Sequence, residues 1–126
     1  MRNYEEAREQ ASLIEWAGWM QKRIPDLRLI FHIPNGGYRN EIEAANLKRQ
    51  GVKAGVPDLF LPVAKHGFHG LFVEMKTKNG KVTENQVKWL RDLSAQGYLA
   101  VICRGADEAK KIIEDYLTWT SQNSNG

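Results

Sequence analysis

The fold is decided by residues 55–78, which read GVPDLFLPVAKHGFHGLFVEMKTK. Two strand-like runs, at 58–63 and 71–78, are separated by the loop AKHGFHG. Because a connection this short has no room for a crossover helix, the two runs are predicted to form an antiparallel hairpin. In the second run, residues 71, 73, 75 and 77 should point into the core, and residues 72, 74, 76 and 78 to the opposite face.

Outward from the hairpin, the sequence alternates between helical and strand periodicity. Helices are predicted over 4–23, 40–50, 83–96 and 106–120, and further strands over 27–33 and 98–103. The first helix should bury the face that carries Tyr4, Ala7, Ala11, Ile14 and Gly18. The first strand should point Leu27, Leu29, Phe31 and Ile33 one way. The order α-β-α-β-β-α-β-α favours an α/β fold with one mixed sheet flanked by helices.

The segment from Glu74 to Cys103 has the order β-α-β. This order predicts two parallel strands joined by a right-handed crossover. The second of these strands is apolar throughout, which is typical of a central strand in a covered sheet.

The chain has 126 residues, the size of one domain. We expect that domain to span residues 1–120, with the polar end SQNSNG at 121–126 disordered. No apolar run approaches the ~20 residues that span a bilayer, and the acidic N-terminus is unlike a signal peptide. The single cysteine, Cys103, cannot form an internal disulfide. A reducing cytoplasm is therefore the expected location, and no membrane partner is expected.

Positive charge is concentrated around the hairpin. The segment from Lys48 to Arg91 contains nine Lys or Arg and three acidic residues, which gives it a net charge of +6. The rest of the chain has nine basic and twelve acidic residues, a net charge of −3. Such a local excess favours a polyanionic partner. The alternative is an ordinary solvated basic face.

The chemistry-bearing motif is Pro57-Asp58 followed by Glu74-Met75-Lys76. Asp58 begins one strand of the hairpin and Glu74 lies in the other, so the two carboxylates should be neighbours. Adjacent carboxylates repel unless a cation joins them, and Mg²⁺ prefers oxygen ligands. Lys76 can orient the attacking water and stabilise charge on a phosphate. The alternative is a cross-strand ion pair on an exposed sheet face.

These residues lie within longer motifs that resemble a stand-alone VRR-NUC domain, a branch of the PD-(D/E)xK nuclease superfamily. The motifs are IPNGG (33–37), LKRQGVKAGVPDLFLP (47–62) and FVEMKTKNGKVTENQVKWL (72–90), within a similarity that runs from about Glu15 to Gly97. The resemblance implies a restriction-endonuclease-like core. It also implies a Mg²⁺- or Mn²⁺-dependent DNA endonuclease. Stand-alone members are often encoded by bacterial viruses, which would place the protein in the host cytoplasm.

The resemblance also implies roles for individual residues. Asp58, Glu74, Glu15 and the backbone carbonyl of Met75 match metal ligands, and Asp58, Glu74, Lys76 and Gln86 match the catalytic set. Glu15 lies at the edge of the predicted buried face of its helix. Gln86 has a second interpretation, because Thr83-Glu84-Asn85-Gln86 is also a helix capping box.

Candidate DNA contacts are Asn35, Arg39, Lys53, Lys78 and Lys81. Asn35 lies in the turn 34–37, whose backbone N–H groups could face phosphates, although an ordinary tight turn is the simpler interpretation. His66 and His69 lie three apart without nearby cysteines, which disfavours zinc. His32 is expected on the non-core side of its strand, either near DNA or as a surface histidine.

The leading functional hypothesis is a structure-specific endonuclease, similar to Holliday-junction resolvases or flap nucleases. A chain of this length leaves no room for an appended specificity domain, so sequence-specific restriction is not expected. The alternatives are a DNA-binding protein with a nuclease fold but no activity, and a nuclease directed at RNA. Symmetric cutting of a junction requires two sites, which predicts a homodimer with Trp16, Trp19, Met20 and Trp119 as possible interface residues.

Overall fold

A computed structural model of the protein describes residues 4–34 and 40–120. It contains the helices α1 (Tyr4–Met20), α2 (Glu41–Arg49), α3 (Glu84–Ala95) and α4 (Ala106–Thr118), and the strands β1 (Phe31–His32), β2 (Leu59–Leu61), β3 (Leu71–Lys76) and β4 (Leu99–Arg104). This confirms the predicted α/β class and element order. The predicted tail at 121–126, and Asn35 and Arg39, lie outside the described residues.

The four described strands form one mixed sheet in the order β1-β2-β3-β4. The predicted hairpin is confirmed, since β2 and β3 are antiparallel with Phe60 opposite Phe72. The predicted β-α-β unit is also confirmed, because β3 and β4 run parallel with Glu74 opposite Ile102. No helix in the described ranges is both long enough and apolar enough to cross a membrane.

The beginning of the predicted first strand, residues 27–29, belongs to a 3-10 helix. Pro25–Leu29 forms that helix, and β1 keeps only two residues. Pro25 is compatible with a helix start because its ring presets φ and the first turn needs no N–H from it. Leu27 is buried, but Phe31 is 47% exposed, so the predicted alternation over 27–33 does not define one buried face.

Strand β4 lies at the edge of the sheet, contrary to the prediction that it is central. It contacts both α3 and α4. Its apolar residues are therefore explained by the helices that pack against it. An apolar run indicates that both faces of a strand are covered, and it does not indicate how many strands flank it.

Helix α1 buries a different face from the predicted one. Gln10, Leu13 and Ala17 are its buried residues, whereas Tyr4 is 78% exposed. The predicted face consists mainly of alanine and glycine. Because these residues carry little apolar area, they contribute little to deciding which face of the helix is buried. The core that α1 joins contains Leu13, Ala17, Leu27, Leu59, Leu61, Leu71, Val73, Met75, Cys103, Ala106, Ala109, Ile113, Tyr116 and Leu117.

The opposite face of the sheet carries an aromatic cluster. The rings of Phe60 and Phe72 are stacked, with centroids 4.2 Å apart, and Tyr98 packs edge-on against both. Strand β3 is consequently buried along its whole length. Any charged residue in β3 must therefore lie in a site largely removed from water.

Candidate metal-dependent active site

Three carboxylates meet where β2 begins and β3 ends. Oxygens of Glu6, Asp58 and Glu74 all lie within 4.8 Å of one another. Glu74 is only 2% exposed and Asp58 3% exposed. The motif is therefore not a cross-strand ion pair on an exposed face of the sheet, the alternative that its sequence allowed.

Strand pairing and one hydrogen bond position Asp58. Its Oδ2 accepts the backbone N–H of Met75 at 2.8 Å, which turns the carboxylate toward β3. Its backbone carbonyl accepts the N–H of Ile33 at 2.8 Å. The same carbonyl lies 2.8 Å from Nδ1 of His32, so that nitrogen must carry a proton and donate it. His32 therefore helps to hold the backbone of a candidate metal ligand, a role that periodicity could not reveal.

Glu74 is surrounded by polar groups that treat its two oxygens differently. Oε2 accepts a hydrogen bond from Nε2 of Gln86 at 3.2 Å and lies 4.0 Å from Nζ of Lys76. Oε1 is buried without a hydrogen-bond partner among the described residues. A buried carboxylate oxygen without a donor is costly unless a cation or proton occupies its free side.

This environment raises the pKa of Glu74. Burial, and then the neighbouring Asp58 carboxylate, raises the pKa of Glu74 from 4.5 to about 8, while Lys76 acts in the opposite direction. Three hard oxygen donors, one of them lacking a partner, fit a divalent cation of the Mg²⁺ type. The donor set contains no histidine or cysteine, and so it does not match a structural zinc site.

Helix α1 contributes Glu6 to this cluster and not Glu15. Glu15 follows Glu6 by nine positions, which is about half a helical turn beyond two full turns and about 13.5 Å along the axis. Glu15 is exposed and lies outside this cluster, in which Glu6 takes the position expected of it. Glu6 is visible in the sequence only as one of several acids near the N-terminus, and no motif distinguishes it.

The remaining predicted site residues differ in burial and in distance from the carboxylate cluster. Lys76 is buried beside Glu74, and Gln86 reaches the site from α3. The side chain of Met75 lies in the core, which leaves its backbone as the group that could serve as a ligand. Lys53, Lys78 and Lys81 are exposed, as phosphate contacts require.

Arg104 is a residue to which the sequence alone assigns no role. The two N–H bonds of its Nη1 are shared among the carbonyls of Thr77, Lys78 and Gly80, which lie 2.7–3.3 Å from that nitrogen. One guanidinium thus holds the turn that follows β3 and carries Lys78. Nothing in the local sequence marks this contact, since 24–27 residues separate the partners.

The other histidines lie away from the carboxylates. Nε2 of His66 contacts the backbone oxygen of Tyr116 at 2.7 Å, near the end of α4. His69 packs against Tyr98 and against Gly97, where an added Cβ would lie 2.6 Å from the ring. Both residues help to attach the hairpin loop to neighbouring elements.

Comparisons with known proteins agree with this architecture. The chain matches the VRR-NUC domain over residues 4–107. A solved structure described as a VRR_NUC domain protein superposes with a TM-score of 0.76 at 31% sequence identity, covering 93% of this chain and 91% of the other. A search of curated proteins found no significant match. The family match spans most of the chain and includes all three clustered carboxylates, Lys76 and Gln86, and the chain therefore belongs to the VRR-NUC domain family of nucleases.

Proposed function

We propose that this protein is a metal-dependent DNA endonuclease that hydrolyses phosphodiester bonds. The observation that carries the proposal is the Glu6–Asp58–Glu74 cluster, in which Asp58 and Glu74 are buried and Lys76 lies beside Glu74. The three carboxylates would hold Mg²⁺ or Mn²⁺, with the backbone carbonyl of Met75 as a further ligand. When bound, such an ion neutralises charge on the phosphate and makes water a stronger nucleophile.

The protein's own groups supply positioning and charge. Lys76 provides an ammonium that can donate to the attacking water or to the charged phosphate oxygens of the transition state. Gln86 holds Oε2 of Glu74, and His32 holds the backbone of Asp58. Lys53, Lys78 and Lys81, with Asn35 and Arg39, would contact the DNA backbone.

The substrate we propose is branched DNA, of the Holliday-junction or flap type. The test is a panel of labelled duplex, flap, splayed and four-way DNA substrates, with RNA equivalents, assayed in Mg²⁺ and in Mn²⁺. Cleavage of a branched DNA faster than the duplex is the expected result. Wild-type protein that binds these DNAs but cuts none in either metal would be a DNA-binding protein with an inactive nuclease fold.

Three substitutions separate metal binding from turnover. Asp58→Ala and Glu74→Ala should abolish cleavage because each removes a ligand. Lys76→Ala should retain metal binding, measured calorimetrically with Mn²⁺, and lose turnover. Wild-type cleavage rates in any one of these variants would contradict the assignment of that residue.

We further propose a homodimer in the cytoplasm. Trp19 is 80% exposed on α1, and Trp119 is exposed just after α4, whereas Trp16 and Met20 pack against the core. Large exposed aromatic side chains are favoured in interface cores. Sedimentation equilibrium should give twice the 14.4 kDa of the chain, and Trp19→Ala should shift the protein toward monomer. The buried, reduced Cys103 is compatible with the proposed location.

A further inference from the structure

Helix α2 stands over an open cavity of about 510 Å³. The helix has a well-formed beginning, because the Asn40 side chain accepts the backbone N–H of Glu43 at 2.8 Å. It nevertheless has no buried residue. Its Ala44, Ala45 and Lys48 line the cavity instead of packing into the core.

The opposite wall of the cavity is a loop held tightly to α3. The carbonyl of Ala54 accepts hydrogen bonds from Nδ2 of Asn85 at 2.8 Å and from Nε1 of Trp89 at 3.1 Å. Gly55 has φ +88°, and a Cβ there would lie 2.6 Å from Nδ2 of Asn85, so glycine permits this close approach. These contacts within the chain fix the wall, and a preorganised wall lowers the free-energy cost of binding a ligand.

The chemistry of the cavity combines an apolar lining with cations. Ala44, Ala45 and Val52 supply small apolar surfaces, and Lys48 and Lys53 supply positive charge at exposed positions. The volume lies within the range of small-ligand pockets. A flat ring joined to phosphates, as in a nucleotide, matches both features.

The cavity adjoins the carboxylate cluster through the first turn of α3. Asn85 lines the cavity, and the next residue, Gln86, donates a hydrogen bond to Glu74. Lys53 lies five residues before Asp58 in the chain. A strand with one phosphate at the carboxylates would thus pass close to the cavity.

We propose that this cavity binds one unpaired nucleotide of the DNA substrate beside the scissile phosphate. The base would pack on Ala44, Ala45 and Val52, and its phosphates would face Lys48 and Lys53. The proposal rests on the proposed nuclease function and deepens it. A base must leave its stack to enter the cavity, which costs least where it is already unpaired, and so branched or flapped DNA is preferred.

The test compares two DNA duplexes in Ca²⁺, without cleavage. Each carries one unpaired residue, either a normal nucleotide or an abasic tetrahydrofuran, placed in turn at each position flanking the cut. Wild-type protein should bind the normal nucleotide about tenfold more tightly at one position, because the abasic residue has no base to bury. Ala45→Leu fills the cavity and should abolish this difference, as should Val52→Phe from the opposite wall.

Asn46→Leu is the matched control, because it adds the same side chain to α2 at an exposed position that does not line the cavity. It should retain the full discrimination. Equal binding of both DNAs by wild-type protein, or unchanged discrimination in both filled variants, would overturn the proposal. Because the readout is binding, a failure of cleavage in Mn²⁺ would count against the nuclease function and leave this result readable.

Discussion

Nε2 of Gln86 donates a hydrogen bond of 3.2 Å to Oε2 of Glu74, a candidate metal ligand. The other end of the same amide, Oε1, accepts the backbone N–H of Thr83 at 2.9 Å. The Thr83 hydroxyl completes the capping box by accepting the backbone N–H of Gln86. Gln86 therefore closes the capping box and contacts Glu74 at the same time, so the start of α3 is attached to the carboxylate cluster; its catalytic role stays a prediction.

This arrangement predicts that Gln86→Glu separates stability from activity. A glutamate oxygen can still accept from Thr83, so thermal stability should stay near the wild-type value. Its second oxygen has no N–H to donate to Oε2 of Glu74, and losing the hydrogen bond that orients this candidate ligand should lower metal affinity by about tenfold or more. Calorimetric titration with Mn²⁺ and a thermal melt check the two parts.

Gln86→Ala is the companion variant. It removes both contacts, so it should lose about 1 kcal/mol of stability as well as metal affinity. Equal Mn²⁺ affinity in Gln86→Glu and wild-type protein would show that the contact with Glu74 does not matter for the metal.

The acids of α1 give a second prediction with a matched control. Glu6→Gln should weaken Mn²⁺ binding and slow cleavage, because it replaces a charged donor within 4.8 Å of Asp58 and Glu74. Glu15→Gln makes the same chemical change on the exposed, opposite side of the helix and should leave both unchanged. Mn²⁺ affinity and initial cleavage rates are the measurements, and the reverse pattern would restore Glu15 as the ligand.

The raised pKa of Glu74 predicts how stability varies with pH. Burial and Asp58 raise this pKa to about 8 in the folded chain, against 4.5 for the free group. Between these values the folded state binds more protons than the unfolded state, so the free energy of unfolding should fall as pH rises. One proton corresponds to a slope of at most about 1.4 kcal/mol per pH unit.

The measurement is urea unfolding of the metal-free protein in EDTA across this pH window. Glu74→Gln should show a flatter profile, because it has no proton to lose. Saturating Mn²⁺ should counteract the fall, since the ion binds the deprotonated carboxylate. A metal-free stability that rises with pH in wild-type protein and not in the variant would contradict the assigned pKa direction.

The basic residues around the site predict a salt-dependent DNA interaction. Lys53, Lys78 and Lys81 are exposed, and Arg104 holds the turn that carries Lys78. Each Lys→Ala change should reduce the slope of log affinity against log salt by about one unit. Binding measured in Ca²⁺ gives the slopes. Lys111→Ala serves as control, because Lys111 pairs with Asp115 on α4 and should not touch DNA.

Local interactions determined a large part of this protein in advance. The hairpin followed from a loop too short for a crossover, and β3 buries Leu71, Val73 and Met75 as its alternation predicts. The capping box of α3 depends on four consecutive residues, 83–86. The proximity of Asp58, Glu74 and Lys76 could be predicted in the same way, because strand pairing brings these residues together once the hairpin forms.

Packing between distant segments sets the features that the local sequence leaves open. A 3-10 helix takes the place of the predicted strand over residues 27–29, where Leu27 is buried in the core, and β4 lies at the edge although its sequence suits a centre. The acid that joins the site was decided in the same way. A helix can rotate about its axis without changing its own hydrogen bonds, so α1 alone cannot choose between Glu6 and Glu15. Packing of Leu13 and Ala17 into the core sets that rotation and turns Glu6 toward the carboxylates.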